Sequence, residues 1–282
     1  MKASNKTLKL PVPVIIFIVV EAVLYILFMI LDGIDTFTDP RQSSFYMSFA
    51  KTGVFSADFL KYYSIIICLI VSIVHYYKTN LKESGVLTAA MFFTAFSDYF
   101  LLLDNNNLVP GLLSFCAVHT IYLYVITNGN LKQTLKYLLI RIAAAAVLSL
   151  GLRLGGVISF DKDINMMPLF FLVILYGFSF ISNIFTLMTL VMDKTIKDKK
   201  CLFDRPVLFL IGLALFILCD LNVLIYNLGD FISVSSSFYP ALRDASYILM
   251  WGFYLPSQVI IVLSCILRLP SKAKPSKKNK SR

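Results

Sequence analysis

The sequence predicts an all-α, polytopic membrane protein with eight transmembrane helices and both the N- and C-termini cytoplasmic. Three observations carry this. Of the 282 residues, 58% are hydrophobic and only 15% are charged, against roughly 25% charged in a soluble domain. Apolar runs long enough to cross a hydrocarbon core recur along the whole chain. The lysines and arginines lie mostly in short connections and at the two ends. No long polar stretch remains for a separate soluble domain. Residues 1–267 therefore read as one eight-helix transmembrane domain, and 268–282 as a basic, disordered cytoplasmic tail.

The first run, 12–31, follows Lys2, Lys6 and Lys9. Its length and the lack of an A-x-A-like cleavage site make it a retained helix rather than a removed signal peptide. Pro11 and Pro13 suit its start, and Glu21 within it is read as facing the bundle or water. Residues 32–58 form a longer connection with Asp32, Asp35, Asp39, Pro40 and Arg41. Helix two, 60–77, opens with Lys61, and Lys78 and Lys82 mark a basic turn. Helix three, 84–103, carries Asp98, and Asp104 to Asn107 with Pro110 mark a tight turn. Helix four, 108–127, places His119 and Tyr122 three apart on one face. After Asn128-Gly129-Asn130, helix five covers 134–152 and offers Ala143 to Ala146 as a close-packing surface. Gly155-Gly156 and 161–165 are loop. Helix six, 167–192, holds Tyr176 and Asn183 two turns apart, and 193–205 is a basic loop. Helix seven, 206–228, carries Asp220, and 229–240 is a Ser-rich turn region. Helix eight, 243–267, places Tyr247, Trp251, Tyr254 and Gln258 on one stripe.

Charge sets the orientation. With the N-terminus inside, the cytoplasmic segments hold Lys2, Lys6, Lys9, Lys78, Lys82, Lys132, Lys136, Lys194, Lys197, Lys199, Lys200, Arg205 and the tail. The opposite loops hold only Arg41, Lys51, Arg153, Lys162 and Arg243. This is the positive-inside pattern. It also accounts for the net charge of +10 through membrane topology and anionic lipid, so no nucleic-acid partner is expected. Cys68, Cys116, Cys219 and Cys265 fall within apolar runs, Cys201 lies in a basic loop, and no CxxC pair occurs. They read as reduced thiols that pack as small apolar groups.

The functional signal is a pair of aspartates in apolar helices. Asp98 lies in Phe96-Ser97-Asp98-Tyr99 and Asp220 in Leu218-Cys219-Asp220-Leu221. Each has an asparagine seven residues on, Asn105 and Asn227, on the same helical face. A carboxylate at membrane depth costs at least ~2.5 kcal/mol, so it persists where it has a partner or work to do. Each Asp sits some 14 residues into an outward-running helix, roughly 20 Å at ~1.5 Å per residue, in the outer half of the core. His119, Tyr254 and Lys61 come to comparable positions and could converge on one cavity. The matching Asp helices, four apart in order, hint at two parallel halves.

Helices three and four together resemble the YhhN family of membrane proteins, the lysoplasmalogenases. Gly111, Phe115, His119 and Tyr122 match its G-x-x-x-F-x-x-x-H-x-x-Y helix, after an Asp-containing helix where Ser97 replaces a Gly. Cys219-Asp220 resembles the later Asp signature, with Cys in place of the common Ser. Tyr254 to Gln258 resembles the terminal Tyr-x-x-x-Gln segment, and Lys61 corresponds to the lysine at the start of the family's second helix, without the following Pro. The resemblance runs over helices two to eight. It implies hydrolysis of the vinyl ether bond of lysoplasmalogens, with a lysophospholipid as substrate and membrane lipids as surroundings. It also implies a multi-pass protein, in the cell membrane if the source is bacterial.

That chemistry needs one carboxyl group that holds a proton and one that is ionised, roles that two carboxyls in one low-dielectric cavity divide between them. Asp98 and Asp220 are the candidates. Lys61, His119, Tyr122, Tyr254 and Gln258 are candidates to bind or position substrate and water. No metal and no cofactor is called for. Purely structural roles stand beside these. The aspartates could bond Asn or Tyr across helices, His119 could be a satisfied interior histidine, and the Tyr247–Trp251–Tyr254 stripe could be packing. The rival function is a lipid or small-molecule transporter or binding protein using the same polar cavity. A metal-dependent hydrolase on Asp98, His119 and Asp220 is disfavoured because His75 lies near a helix end, leaving one deep histidine. A rhodopsin-like receptor is disfavoured because helix eight has no interior lysine.

Overall fold

A computed structural model describes residues 10–37, 56–104, 108–155, 166–192, 206–231 and 237–267. Among the described residues there are eight helices long and apolar enough to cross a membrane, and no strand. They are α1 (Val12–Phe37), α2 (Ala57–Thr79), α3 (Lys82–Asp98, extended by a π-helical turn over Tyr99–Leu103), α4 (Leu108–Ile126), α5 (Leu131–Leu154), α6 (Met166–Met192), α7 (Pro206–Phe231) and α8 (Tyr239–Ile266).

The expected helix cores all form, and the ends differ for local reasons. Helix one continues to Phe37, so Asp32 belongs to the helix and not to the connection. Helix two begins at Ala57 because Ser56 caps it, its hydroxyl accepting from the Phe59 N–H at 3.4 Å. Asp58 is thereby in its first turn. α2 stops where Asn80 turns left-handed, at φ 48°. α5 gains a turn at its start because the Asn130 side chain accepts from the Gln133 N–H at 3.1 Å. The expected loops around Asp39 to Arg41, Asn105 to Asn107, 161–165 and 193–205, Cys201 and the 268–282 tail lie outside the described residues.

α2, α3, α4, α6, α7 and α8 pack in sequence around the bundle, with α8 closing back on α2 and α3. α1 leans from outside on α2 and α8, and α5 on α6 and α4. Both outer helices turn polar residues inward. α1 buries Phe17, Glu21, Phe28 and Asp32 on one stripe. α5 buries Thr134, Arg141, Ala145 and Ser149 and exposes Leu139, Ile140, Val147 and Leu154, as a helix solvated by lipid should. Of the predicted alanine surface only Ala145 is buried, because Ala143, Ala144 and Ala146 fall on the outward faces.

Two close approaches fix the inner helices. A Cβ on Gly111 of α4 would lie 3.0 Å from the Leu101 side chain and 3.3 Å from the Ser97 carbonyl oxygen. The Ser97 hydroxyl then donates to the Gly111 carbonyl at 2.7 Å. A Cβ on Gly212 of α7 would meet Ile261 Cγ1 at 2.6 Å and the Ser257 carbonyl at 3.1 Å.

Two irregularities flank the interior. Helix three shows no break in its sequence, yet directly after Asp98 the ladder widens, with the Asp104 N–H donating to the Tyr99 carbonyl at 3.0 Å. Such π turns concentrate at functional sites. In α8, Pro256 has no N–H to offer Gly252, four residues earlier. The hydroxyl of Tyr25 in α1 donates to that carbonyl instead, at 3.2 Å.

Candidate active site

Asp98 ends the α-helical part of α3 and is 2% exposed. The Tyr254 hydroxyl, from α8, lies 2.8 Å from one of its carboxylate oxygens and 2.7 Å from the other. Asp220 of α7 is half-buried. Its Oδ2 accepts from the Tyr176 hydroxyl of α6 at 2.6 Å. Each aspartate is thus held by a tyrosine from another helix.

Rings join the two pairs. Phe216 lies 5.4 Å from Tyr254, and Phe115 lies 6.5 Å from Tyr254, 6.0 Å from Tyr176 and 5.7 Å from Phe216. Cys219, next to Asp220 in α7, is buried in the same core. His119 completes the aromatic wall, with its ring 5.0 Å from Tyr176 and 4.6 Å from Phe180. Both its ring nitrogens are buried with no hydrogen-bond partner among the described residues. Tyr122 packs on His119 and on Phe209, at 5.8 and 5.2 Å, and its buried hydroxyl is likewise unpartnered among the described residues. Such groups in a dry site are costly unless a ligand or water meets them.

Lys61 is almost wholly buried. Its Nζ lies 2.9 Å from Asp32 Oδ1 and 3.2 Å from Asp58 Oδ1, over the faces of Trp251 and Tyr247. A ring contact leads from it toward Asp98, since Trp251 packs edge-on against Tyr254 at 5.5 Å. Gln258, one turn along α8, donates to Ser257 Oγ at 3.3 Å, and its Oε1 has no partner among the described residues. The expected stripe therefore divides: Tyr247 and Trp251 cover Lys61, and Tyr254 holds Asp98. The Asn227 amide donates to the Val223 carbonyl of its own helix at 2.7 Å. Asn105 lies outside the described residues.

The two carboxyl groups are not held equivalently. Under the hinted repeat, the α3–α8 contact of Asp98 would be matched by an α7–α4 contact of Asp220, whereas Asp220 bonds α6. Three further groups join the interior. Tyr176 stands in the apolar run of α6, where nothing in the sequence gives it a role. Arg141 stands inside an apolar run, where its charge marks it. Its Nη2 donates to Asn183 Oδ1 at 2.9 Å, and Asn183 Nδ2 donates to the His119 carbonyl at 2.9 Å. Glu21 accepts from the Cys68 thiol at 3.7 Å. Among the described residues no group of three His, Cys, Asp or Glu side chains gathers at metal-ligand spacing.

A model of the YhhN family matches residues 57–265, from the start of α2 to the penultimate residue of α8. No curated protein and no solved structure matches the chain.

Proposed function

From the premise that this chain belongs to the YhhN family, we propose that it is a membrane-embedded hydrolase of the vinyl ether bond of lysoplasmalogens. The family is associated with that activity. The products are a fatty aldehyde and a glycerophospho head group. The observation that carries the proposal is the fixed pair of intramembrane aspartates, each on a tyrosine hydroxyl and both bordering one aromatic core.

The chemistry asks for little more. One carboxylic acid protonates the β-carbon of the vinyl ether, and the C=C electron pair forms the new C–H bond. The α-carbon becomes an oxocarbenium ion next to the ether oxygen. Water adds there and loses a proton to the second carboxyl group, which is a carboxylate until that point. The hemiacetal then collapses: the second group gives that proton to the departing glycerol oxygen as the C–O bond breaks, the hemiacetal O–H electron pair forms the aldehyde C=O, and the O–H proton returns to the first carboxylate. Protons balance over the cycle. Asp98 and Asp220 supply the acid and the base, and Tyr254 and Tyr176 hold them in place. His119, Tyr122 and Gln258 position water or substrate, and Lys61 faces the head group.

Depth supports this assignment. Asp98 lies five residues before the end of the π turn at Leu103, about 7 Å at ~1.5 Å per residue. The reacting bond of a lysoplasmalogen is likewise close to its head group, not deep in its chain. The test is aldehyde release from lysoplasmenyl-ethanolamine and lysoplasmenyl-choline by the purified protein. Asp98→Asn and Asp220→Asn should each lower turnover by roughly 10²-fold or more while leaving thermal stability close to wild type. Aldehyde release undiminished in either variant would remove that residue from the mechanism.

A second reading, a lipid transporter or binding protein, draws on the π turn and on Pro256. Both interrupt helices beside the Tyr254–Asp98 bond, and interrupted helices mark transporter sites. Tight binding of lysophospholipid without aldehyde would favour it.

A further inference from the structure

The surroundings of Lys61 offer more than one ammonium group uses. Two carboxylates, Asp32 at 2.9 Å and Asp58 at 3.2 Å, meet its Nζ. The faces of Trp251 and Tyr247 lie 4.5 and 5.3 Å from it. Carboxylates among aromatic faces are the chemistry that recognises alkylammonium ions. Tyr226 extends the wall, 5.4 Å from Tyr247, with the exposed Arg243 stacked on it at 4.9 Å.

The two carboxylates differ. The Asp32 side chain is 1% exposed and Asp58 is 48% exposed. The Lys61–Asp58 contact joins a buried ammonium to a half-exposed carboxylate three residues away, at the first turn of α2. Asp32, at 2.9 Å, still meets the ammonium if Asp58 turns away. A lipid phosphate could then meet Lys61 while an ammonium on the same head group meets Asp58 and the rings. Inserting a zwitterion into an ion pair brings no net charge into the membrane, which avoids the main desolvation cost. The place is right as well: the start of a spanning helix lies at head-group depth, and Trp251 adjoins the tyrosine that holds Asp98.

We propose that this niche is the head-group site for a phosphate–ammonium zwitterion, an ethanolamine or choline ester. Lys61 takes the phosphate, and Asp58 with Trp251 and Tyr247 takes the ammonium. The inference rests on the hydrolase reading for the placement of the scissile bond, but its test does not require turnover. Trp251 is the only tryptophan in the chain, so its fluorescence reports the niche directly.

The full-length protein in nanodiscs is titrated with three lipids that carry a saturated ether and cannot be cleaved. These are an alkyl-lysophosphoethanolamine, an alkyl-lysophosphocholine and an alkyl-glycerol phosphate with no amine. The two amine-bearing lipids should shift Trp251 emission and bind roughly fivefold tighter than the bare phosphate. Asp58→Asn, at a half-exposed site, should erase that preference, and Lys61→Met should weaken all three. Equal binding of the three lipids to wild type, or a preference that survives Asp58→Asn, overturns the proposal. Aldehyde release is assayed in parallel. Preference without aldehyde sinks the hydrolase reading and leaves the niche, whereas aldehyde without preference sinks the niche alone.

Discussion

Asp98 and Asp220 were legible in the sequence because a carboxylate in an apolar helix is expensive, and cost is visible without a fold. Their partners were not. The chain has 15 tyrosines, and nothing in their spacing singles out Tyr254 for Asp98 or Tyr176 for Asp220. That choice depends on which helices adjoin. The pairs also differ in use. Both oxygens of Asp98 lie on Tyr254, while Asp220 uses one oxygen on Tyr176. A hydrogen bond to a charged group contributes ~1.5–3 kcal/mol, so Tyr254→Phe should slow aldehyde release by roughly 10- to 100-fold with KM changed little. Tyr176→Phe should have the smaller effect of the two. Equal rates for Tyr254→Phe and wild type would show that the hydroxyl does not position the carboxyl group. Arg141, a charge in an apolar run, carries the same signal as the aspartates.

At the level of helices, hydrophobic runs located every span but not every end. The ends were set by local caps such as Ser56 and Asn130, and the sequence offers many equivalent candidates for those. The π turn after Asp98 left no Gly or Pro to announce it. The proline in α8 was visible, but the donor that satisfies Gly252 comes from α1, over 200 residues earlier. Two packing predictions follow from these contacts. Gly111→Ala puts a methyl 3.0 Å from Leu101 and should destabilise by about 1–3 kcal/mol, read as a lower melting temperature in detergent. Tyr25→Phe leaves the part-buried Gly252 carbonyl without this donor and should destabilise by about 0.5–1.5 kcal/mol, the net worth of one hydrogen bond. If its melting temperature matches wild type, another group has taken that carbonyl.

For the whole molecule, composition and periodicity predict eight spans, and the described residues contain eight helices long and apolar enough to cross a membrane. From the even count and the charge pattern we propose that both ends face the cytoplasm. Reporter domains fused at residue 1 and after residue 282 should both behave as cytoplasmic; a reporter that is active only outside, at either end, would overturn the assignment. The order in which helices adjoin was beyond the sequence, because lipid-facing and bundle-facing runs share one apolar alphabet. α1 makes that concrete. It precedes the matched stretch, yet it lends Asp32 to Lys61, Glu21 to Cys68 and Tyr25 to Gly252. A shortened chain beginning at Ala57 would keep every family signature and still leave one ammonium with only its exposed partner and one backbone carbonyl bare. The stretch that the family model matches is therefore smaller than the stretch that completes these contacts, and supplying α1 as a separate peptide should restore what its deletion removes.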